Sequence, residues 1–464
     1  MRMLGYMARG FPSAVVAFFL AATISMADGL PGWRDQLRKA DTDNDYAAGI
    51  ELARRIVAAD PHDTNAWTAL VNYRVKTEDY GRALDSLAAW EKVARPRTGA
   101  IDAFRGDIYR AQGLDGAAER AWRASLAIDP RDYIVLSKLA DLLEAGERWP
   151  EALALRTRAA AARPAAALLA ARAGALARVH QWDAANEAIR KANKIDATDE
   201  TVQKWFPLLE QAGQVLPRIK ALDAQIAAEP KAPEPLLDQA FIFTDIGLAS
   251  MALTNARRAL ALAPGSVRAR IQAGEAELDL EHPAEAAKFK VSRDLKRGDN
   301  GHNGHLSPQT LGELGLRDAE VERNPGKPGP LAARSKALRN LNQYVLALED
   351  ARAALRADPN SPDAEFEMGH DLDGLGRPGE ALPHITHATE LRPDDAVAWY
   401  YRGVIEANRA DFTAAIASQN HSLSIRESAV ALKARRDCEL RLNLASQAAA
   451  DSRRLHQLDA GSTQ

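Results

Sequence analysis

Apolar and polar residues alternate along most of the chain with the 3.6-residue period of an amphipathic α-helix, in segments of about 13 residues. Proline recurs after many of these segments, and because it lacks a backbone N–H it marks where a helix stops. The prolines that recur at about 34-residue spacing fall in three runs: Pro61, Pro96, Pro130 and Pro164, then Pro230 and Pro264, then Pro325, Pro359 and Pro393. The pattern predicts antiparallel helix pairs repeated from about residue 30 to residue 458.

Residue sizes also recur inside each repeat. The eighth position is small in Gly106, Ala140, Gly174, Ala240, Gly274, Gly369 and Gly403. The twentieth is alanine in Ala83, Ala118, Ala152, Ala185, Ala252, Ala347, Ala381, Ala415 and Ala449. We expect these residues to let two helices approach closely, while large residues at positions 4 and 17 fill the gaps around them. Glycine at position 15, as in Gly113, Gly213, Gly247 and Gly376, predicts a left-handed turn between the two helices.

This pattern resembles the tetratricopeptide repeat. The resemblance implies an all-α fold, a right-handed α-solenoid of about twelve helix-turn-helix units. Residues 28–297 would form an N-terminal array, and residues 328–464 a C-terminal array with capping helices. Residues 298–327 are rich in Gly, Asn and Pro and are predicted to be a degenerate unit or hinge loop. One helix is expected there, from Pro308 to Arg323, with Ser307 as its N-cap.

The N-terminus is typical of an export signal. Arg2 and Arg9 precede an apolar run at 14–24, and Ala27 ends a stretch of small residues suited to signal peptidase. We therefore interpret residues 1–27 as a cleavable signal peptide, with cleavage after Ala27, and predict a periplasmic or secreted protein. The alternative is that the segment is retained as an anchor, although the run is short for a membrane span. No later segment is apolar enough to span a membrane.

Charge and cysteine content exclude several classes of protein. With 60 basic and 63 acidic residues the chain has a net charge of −3, which argues against a nucleic-acid binder. The single cysteine, Cys438, allows no internal disulfide and no zinc site built on cysteines. None of the common catalytic motifs occurs, such as GxSxG, HExxH or a phosphate-binding glycine loop. The sequence therefore predicts a non-enzymatic protein without a cofactor.

Metal-binding patterns are incomplete. Asp299 and Asn303 fit the start of a calcium loop, but Thr310 stands where a bidentate glutamate is needed. His302 and His305 are two ligands where a site needs three or four. Elsewhere, His384 and His387 lie one turn apart on a predicted second helix, and His421 repeats His387 one unit later. For these three histidines a solvated stripe is the expectation, with a surface metal site as the alternative. No metal site is predicted.

The resemblance also implies a concave groove lined by the first helix of each pair, which takes an extended peptide or a partner helix. Groove positions predict a partner-binding set of Asn72, Asp107, Arg110, Asp141, Glu144, Phe241, Asp245, Glu275, Asp279, Arg339, Phe366, His370 and Tyr400. The middle of this set is acidic, which favours a basic partner and binding that weakens with salt. Phe366 and Tyr400 are the candidate aromatic anchors.

Taken with the signal peptide, these features predict an interaction scaffold of the bacterial cell envelope. Its partners would be envelope proteins, and one role would be assembly of a secretion or polysaccharide-export complex. No nucleic acid and no direct membrane span after signal cleavage are expected. Two alternatives remain: a ligand- or metal-sensing protein that uses the 298–330 break, and an accessory subunit that shapes an enzyme's active site.

Overall fold

The computed structural model describes residues 29–291 and 307–461, and all regular elements in those two ranges are α-helices. The predicted signal peptide and the loop residues Asp299, His302, Asn303 and His305 lie outside them. No helix in the two ranges is both long and apolar enough to cross a bilayer. The predicted all-α class is confirmed.

The helices fall in two compact units, which meet in sequence at Gly213 and Gln214. The first eleven are α1 (Gly29–Thr42), α2 (Tyr46–Ala59), α3 (Thr64–Lys76), α4 (Tyr80–Val93), α5 (Gly99–Ala111), α6 (Asp115–Ile128), α7 (Tyr133–Ala145), α8 (Trp149–Ala162), α9 (Ala166–Arg178), α10 (Trp182–Ile195) and α11 (Glu200–Gln214). The next seven are α12 (Leu216–Ala228), α13 (Glu234–Asp245), α14 (Ala249–Leu262), α15 (Val267–Asp279), α16 (Pro283–Lys288), α17 (Pro308–Arg323) and α18 (Pro328–Asn340). The last seven are α19 (Tyr344–Ala357), α20 (Pro362–Gly374), α21 (Pro378–Leu391), α22 (Ala396–Asn408), α23 (Phe412–Ile425), α24 (Ala429–Arg441) and α25 (Ala445–Gly461).

Short polar side chains begin many of the helices. Asp63, Asp132, Ser361 and Asp395 each precede the first helix of a pair and accept hydrogen bonds from backbone N–H groups of its first turn. Those N–H groups have no partner inside the helix, so each cap stabilises its helix by about 1 kcal/mol. The caps explain why the first helices begin about 34 residues apart even where the apolar pattern is weak.

The turn between the two helices of a pair uses one residue in the left-handed region. Gly113, Gly247 and Gly376 have φ of 72°, 82° and 72°, as their position predicts. Other repeats place Glu78 or Ala410 there, at φ of 59° and 63°, so the turn is kept even where a side chain opposes it. The prediction is wrong for Gly213, because α11 continues through it to Gln214.

Close contact between paired helices depends on the small residues. A Cβ on Gly106 would lie 2.4 Å from Trp122 of the paired helix α6, and one on Gly403 would lie 2.4 Å from Gln419 of the paired helix α23. A Cβ on Gly174 would lie 2.3 Å from Trp205 of α11, which is the next first helix and not the paired one. No real Cβ makes such contacts, so only glycine fits at these crossings. The alanines at position 20 are fully buried, as in Ala83, Ala118, Ala152, Ala185, Ala347, Ala381 and Ala415. The last repeat differs by one residue, because it buries Ala448 and leaves Ala449 exposed.

The predicted helix from Pro308 to Arg323 is confirmed, and the Ser307 hydroxyl accepts from the Thr310 N–H as its cap. This helix, α17, packs against both α15 and α18. Its Leu311 and Leu314 join one apolar cluster with Ile271 of α15 and Leu338 of α18. Residues around the 298–327 break therefore contribute to the core of the second unit. The division of the chain into two arrays at that break stays a prediction.

Candidate partner-binding surface

All thirteen residues predicted to bind a partner lie on first helices. The structure places Asn72 on α3, Asp107 and Arg110 on α5, Asp141 and Glu144 on α7, Phe241 and Asp245 on α13, Glu275 and Asp279 on α15, Arg339 on α18, Phe366 and His370 on α20, and Tyr400 on α22. In the second unit the first helices of successive pairs contact one another: α13 contacts α15, α18 contacts α20, and α20 contacts α22. Positions that are 34 residues apart are thereby brought side by side.

In the first unit, neighbouring basic residues already neutralise the predicted acidic positions. The Asp107 carboxylate accepts from Lys138 Nζ at 2.7 Å and from Trp122 Nε1 at 3.1 Å. The buried Arg156 guanidinium bonds both Glu144, at 2.9 Å, and Asp141. An ion pair that is already made inside the protein offers little attraction to a basic partner.

The remaining predicted residues of the first unit and of α13 and α15 differ in exposure. Arg110 is exposed and pairs with Asp115, and Asn72 is half-buried. On α13, Phe241 packs against the core of the second unit and Asp245 is half-buried. On α15, Asp279 is exposed, whereas Glu275 is only 5% exposed. Among the acids of α15, only Asp279 lies fully at the surface.

The C-terminal positions converge into one aromatic surface, formed by Arg339, Phe366, His370, Tyr400 and Tyr401. The Tyr401 ring lies 5.5 Å from Phe366 and 3.9 Å from His370, measured between ring centroids. Tyr400 and Tyr401 are 5.0 Å apart and nearly perpendicular. The Arg339 guanidinium lies 5.9 Å from the Phe366 centroid. The four rings are only half-buried, so their apolar edges remain open to solvent.

The electrostatics of the aromatic surface are close to neutral. Arg339 is buried and pairs with the buried Glu367. Burial, together with the charge of Arg339, lowers the pKa of His370 to about 3, so its ring is neutral at physiological pH. Burial also raises the pKa of the Tyr400 phenol. A surface of neutral rings suits an apolar or aromatic partner group better than a charged one.

A buried carboxyl lies next to this surface. Asp371 follows His370 on α20 and has no solvent exposure. Its Oδ2 accepts a 2.7 Å hydrogen bond from the Ser335 hydroxyl, while Oδ1 has no hydrogen-bond partner among the described residues. Burial raises the pKa of Asp371 to about 7, and the Ser335 hydrogen bond and the charge of Arg339 oppose that shift. The carboxyl is therefore partly protonated near neutral pH.

Helix pairs of similar length make up most of the described chain, with exceptions such as the six-residue α16 and the 16-residue α17. Many of the pairs turn through a left-handed residue at position 15 and cross at small residues at positions 8 and 20, and in the second unit successive first helices contact one another. The described chain therefore has the helix-turn-helix repeat architecture that the tetratricopeptide resemblance predicted.

Comparisons with known proteins give matches of low similarity. No family model matches the sequence. Small glutamine-rich tetratricopeptide repeat-containing protein 2 of Mycosarcoma maydis is 31% identical over 77 residues, which is 17% of this chain and 22% of that protein. The match spans less than a quarter of the relative's length.

Solved structures of repeat proteins are also similar. The crystal structure of YrrB, a TPR protein with an unusual peptide-binding site, is 22% identical, covering 47% of this chain and 98% of that one at a TM-score of 0.25. The Cut9 and Hcn1 hetero-tetramer of APC/C is 15% identical, covering 92% and 94% at a TM-score of 0.27. MamA from Desulfovibrio magneticus RS-1 is 18% identical, covering 42% and 96% at a TM-score of 0.29. Such low TM-scores do not establish a shared arrangement of helices.

The two histidines of α21 are partly exposed, as the expectation of a solvated stripe requires, and they also contact a carboxylate. The Nδ1 atoms of His384 and His387 lie 2.6 Å and 3.0 Å from the two oxygens of Glu365 on α20, a residue that is 7% exposed. His421 instead packs on Trp399, with 4.1 Å between ring centroids. The two ranges of described residues contain no group of three or more His, Cys, Asp or Glu placed to hold a metal ion.

Sequence reasoning missed Tyr401, Glu367 and Asp371. Tyr401 falls outside the groove positions of the repeat, and its side chain enters the surface by packing on His370. The run Trp399-Tyr400-Tyr401 is a signal that could have identified it, since three adjacent aromatic residues cannot all face one core. Glu367 and Asp371 carried no sequence signal, because acidic residues on a helix are usually solvated.

Proposed function

We propose that this protein is a non-enzymatic interaction scaffold whose aromatic surface binds a protein partner. The observation that supports it is the convergence of Phe366, His370, Tyr400 and Tyr401 from two adjacent first helices into half-open, neutral rings. Aromatic residues that remain partly exposed on a folded surface are the residue type that most often supplies binding energy at protein interfaces. The partner would present an apolar or aromatic side chain on an extended segment or a helix.

The test is affinity capture from the source cells with the full chain, tagged at its C-terminus and crosslinked, at low and high salt. Tyr400→Ala removes one of the half-buried rings, and we expect it to reduce capture of a recurrent partner by at least about tenfold, the loss typical of an interface anchor. The matched control is Leu391→Ala on the second helix α21, where an apolar side chain is 37% exposed and outside the aromatic surface. Equal capture by wild type and Tyr400→Ala would show that the partner binds elsewhere.

Capture at low and high salt distinguishes binding at the aromatic surface from binding at the acidic positions predicted from sequence. Binding to neutral rings should persist at high salt, whereas binding to exposed acids such as Asp279 should weaken as salt screens the attraction. If capture of the partner is lost both at high salt and in the Asp279→Lys variant, the partner binds at α15 and not at the aromatic surface. Failure to recover any partner at either salt would refute the scaffold proposal.

We also propose that the protein is exported and works in the bacterial cell envelope, with assembly of a secretion or polysaccharide-export complex as one role. The support is the N-terminal sequence alone, with Arg2 and Arg9 ahead of the apolar run and small residues up to Ala27. The test is cell fractionation with N-terminal sequencing of the purified protein. A chain beginning at Asp28 in the periplasm or medium is the expected result, and an intact Met1 in the cytoplasm would refute it.

A further inference from the structure

The second unit contains a pocket that the scaffold role does not use. Its volume is about 450 Å³, and it lies between the start of α13, the α14–α15 connection, the second half of α17 and the turn before α18. Leu237, Leu262, Ala319 and Val321 supply apolar wall. None of the five residues of the aromatic surface lines it. This volume is within the range of sites that hold small molecules, which are also mostly apolar with a few polar groups.

Hydrogen bonds fix the walls of this pocket in place. The Asp318 carboxylate, on α17, accepts from the Ser266 hydroxyl at 2.7 Å and from the N–H groups of Val267 and Arg268, both at 3.1 Å. It therefore caps the first turn of α15 from a different helix. Arg334 of α18 bonds the same carboxylate at 2.9 Å and the Gly265 carbonyl at 3.0 Å. Asp318 and Arg334 therefore link α15, α17 and α18 by hydrogen bonds in one place. Because these links hold the walls of the adjacent cavity in position, the cavity is preformed.

The inner cations of the pocket are already neutralised. Arg268 is buried and donates to Asp238 at 2.6 Å. Arg334 is buried and donates to Asp350 through two 2.7 Å bonds, in addition to Asp318. Each guanidinium is therefore paired with a protein carboxylate, although the buried Arg268 Nε has no hydrogen-bond partner among the described residues, and paired guanidiniums attract an anionic ligand less than free ones would.

The outer lining is acidic. Glu234 and Glu322 are both exposed, and neither forms an ion pair within residues 29–291 and 307–461. The nearest further cation on α17, Arg323, is exposed and bonds back to the Ala319 carbonyl at 3.1 Å. Of the residues that line the pocket, three carry carboxylates (Glu234, Asp318 and Glu322) and two carry guanidiniums (Arg268 and Arg334), so the net charge of the lining favours a cation.

We propose that this pocket binds a small organic cation, with its apolar body against Leu237 and Ala319 and its ammonium group between Glu234 and Glu322. The apolar wall supplies the affinity, and the two open carboxylates select the charge. Such a site would make the repeat array responsive to a small amine, separately from the protein partner bound by the aromatic surface.

The first test is isothermal titration calorimetry of the purified full chain with three probes that share one apolar body: 4-phenylbutylamine, 4-phenylbutanol and 4-phenylbutyrate. We expect the amine to bind, the alcohol to bind several-fold more weakly, and the carboxylate not to bind. Equal binding of amine and carboxylate, or no binding of the amine at millimolar concentration, would overturn the proposal.

Two variants locate the binding. Replacing both outer acids, as Glu234→Gln with Glu322→Gln, should weaken the amine about three- to tenfold and leave the alcohol unchanged, because exposed ion pairs contribute little each. The matched control changes two exposed acids outside the lining, Glu229→Gln with Glu313→Gln, and should leave both affinities unchanged. Ala319→Trp should fill the cavity and abolish binding of both probes. Unchanged amine binding in either the acid double variant or Ala319→Trp would refute the site.

Discussion

Asp371→Asn offers a sharp test of the electrostatics described here. The folded pKa of Asp371 is about 7, against 3.8 for an unperturbed aspartate, because the carboxyl is fully buried. The unfolded state therefore loses its proton at lower pH than the folded state does. Stability contributed by this group is complete below about pH 4 and falls as pH rises, until the folded carboxyl also ionises near pH 7.

The magnitude follows from the shift. About three pKa units correspond to about 4 kcal/mol of lost stability above pH 7. Between pH 5 and pH 8 the wild type should lose about 2.5 kcal/mol relative to Asp371→Asn, which cannot ionise. The asparagine also places an amide where Oδ1 stood, but that cost does not vary with pH. The Ser335 hydroxyl can still donate to the side-chain oxygen of asparagine.

The assay is hydrogen exchange with mass spectrometry on peptides of α20 in the full chain, corrected for intrinsic exchange rates. A local measurement is needed because repeat arrays do not unfold in a single step. Other shifted groups titrate in both proteins and cancel in the difference. The control is Gly81→Ala, which removes no titratable group, so its difference from wild type should be flat with pH. If the stability of Asp371→Asn relative to wild type does not rise from pH 5 to pH 8, the assignment of a raised pKa is refuted.

Two further predictions concern packing. Gly106→Ala forces a Cβ to within 2.4 Å of Trp122 and should lower the free energy of unfolding of the first unit by about 1–3 kcal/mol, measured by urea titration of tryptophan fluorescence. Gly81→Ala meets nothing within 4 Å inside α4, so the same substitution there should be neutral or stabilise by up to about 1 kcal/mol; equal loss in both would refute the close-crossing argument. Asp318→Ala removes the carboxylate that caps the first turn of α15 and is one of the two carboxylate partners of Arg334. It should destabilise α15 and α17 by about 2–4 kcal/mol. Hydrogen exchange of the two helices is the measurement, and unchanged protection in both would contradict the role given to Asp318.

Much of the fold could be predicted because its signals are local. The caps at Asp63 and Asp132, the left-handed turn at Gly113 and the helix from Pro308 to Arg323 depend on residues a few positions apart. The candidate site was predictable only in part. Phe366, His370 and Tyr400 were placed on first helices correctly, but the sequence could not show that Tyr401 completes their cluster.

What the sequence by itself determined is the repeat: its length, its helices, the small residues at its crossings and the positions that face a neighbouring first helix. What only the tertiary structure decided is which charged side chains are neutralised by a neighbouring residue and which are not. Asp107 is neutralised by Lys138, 31 residues away, and Asp318 of α17 caps α15 from 50 residues away. These pairs form because the helices pack close enough for the two side chains to meet. The spacing of the residues along the chain does not specify that distance. The neutral aromatic surface and the acidic pocket both follow from such pairing.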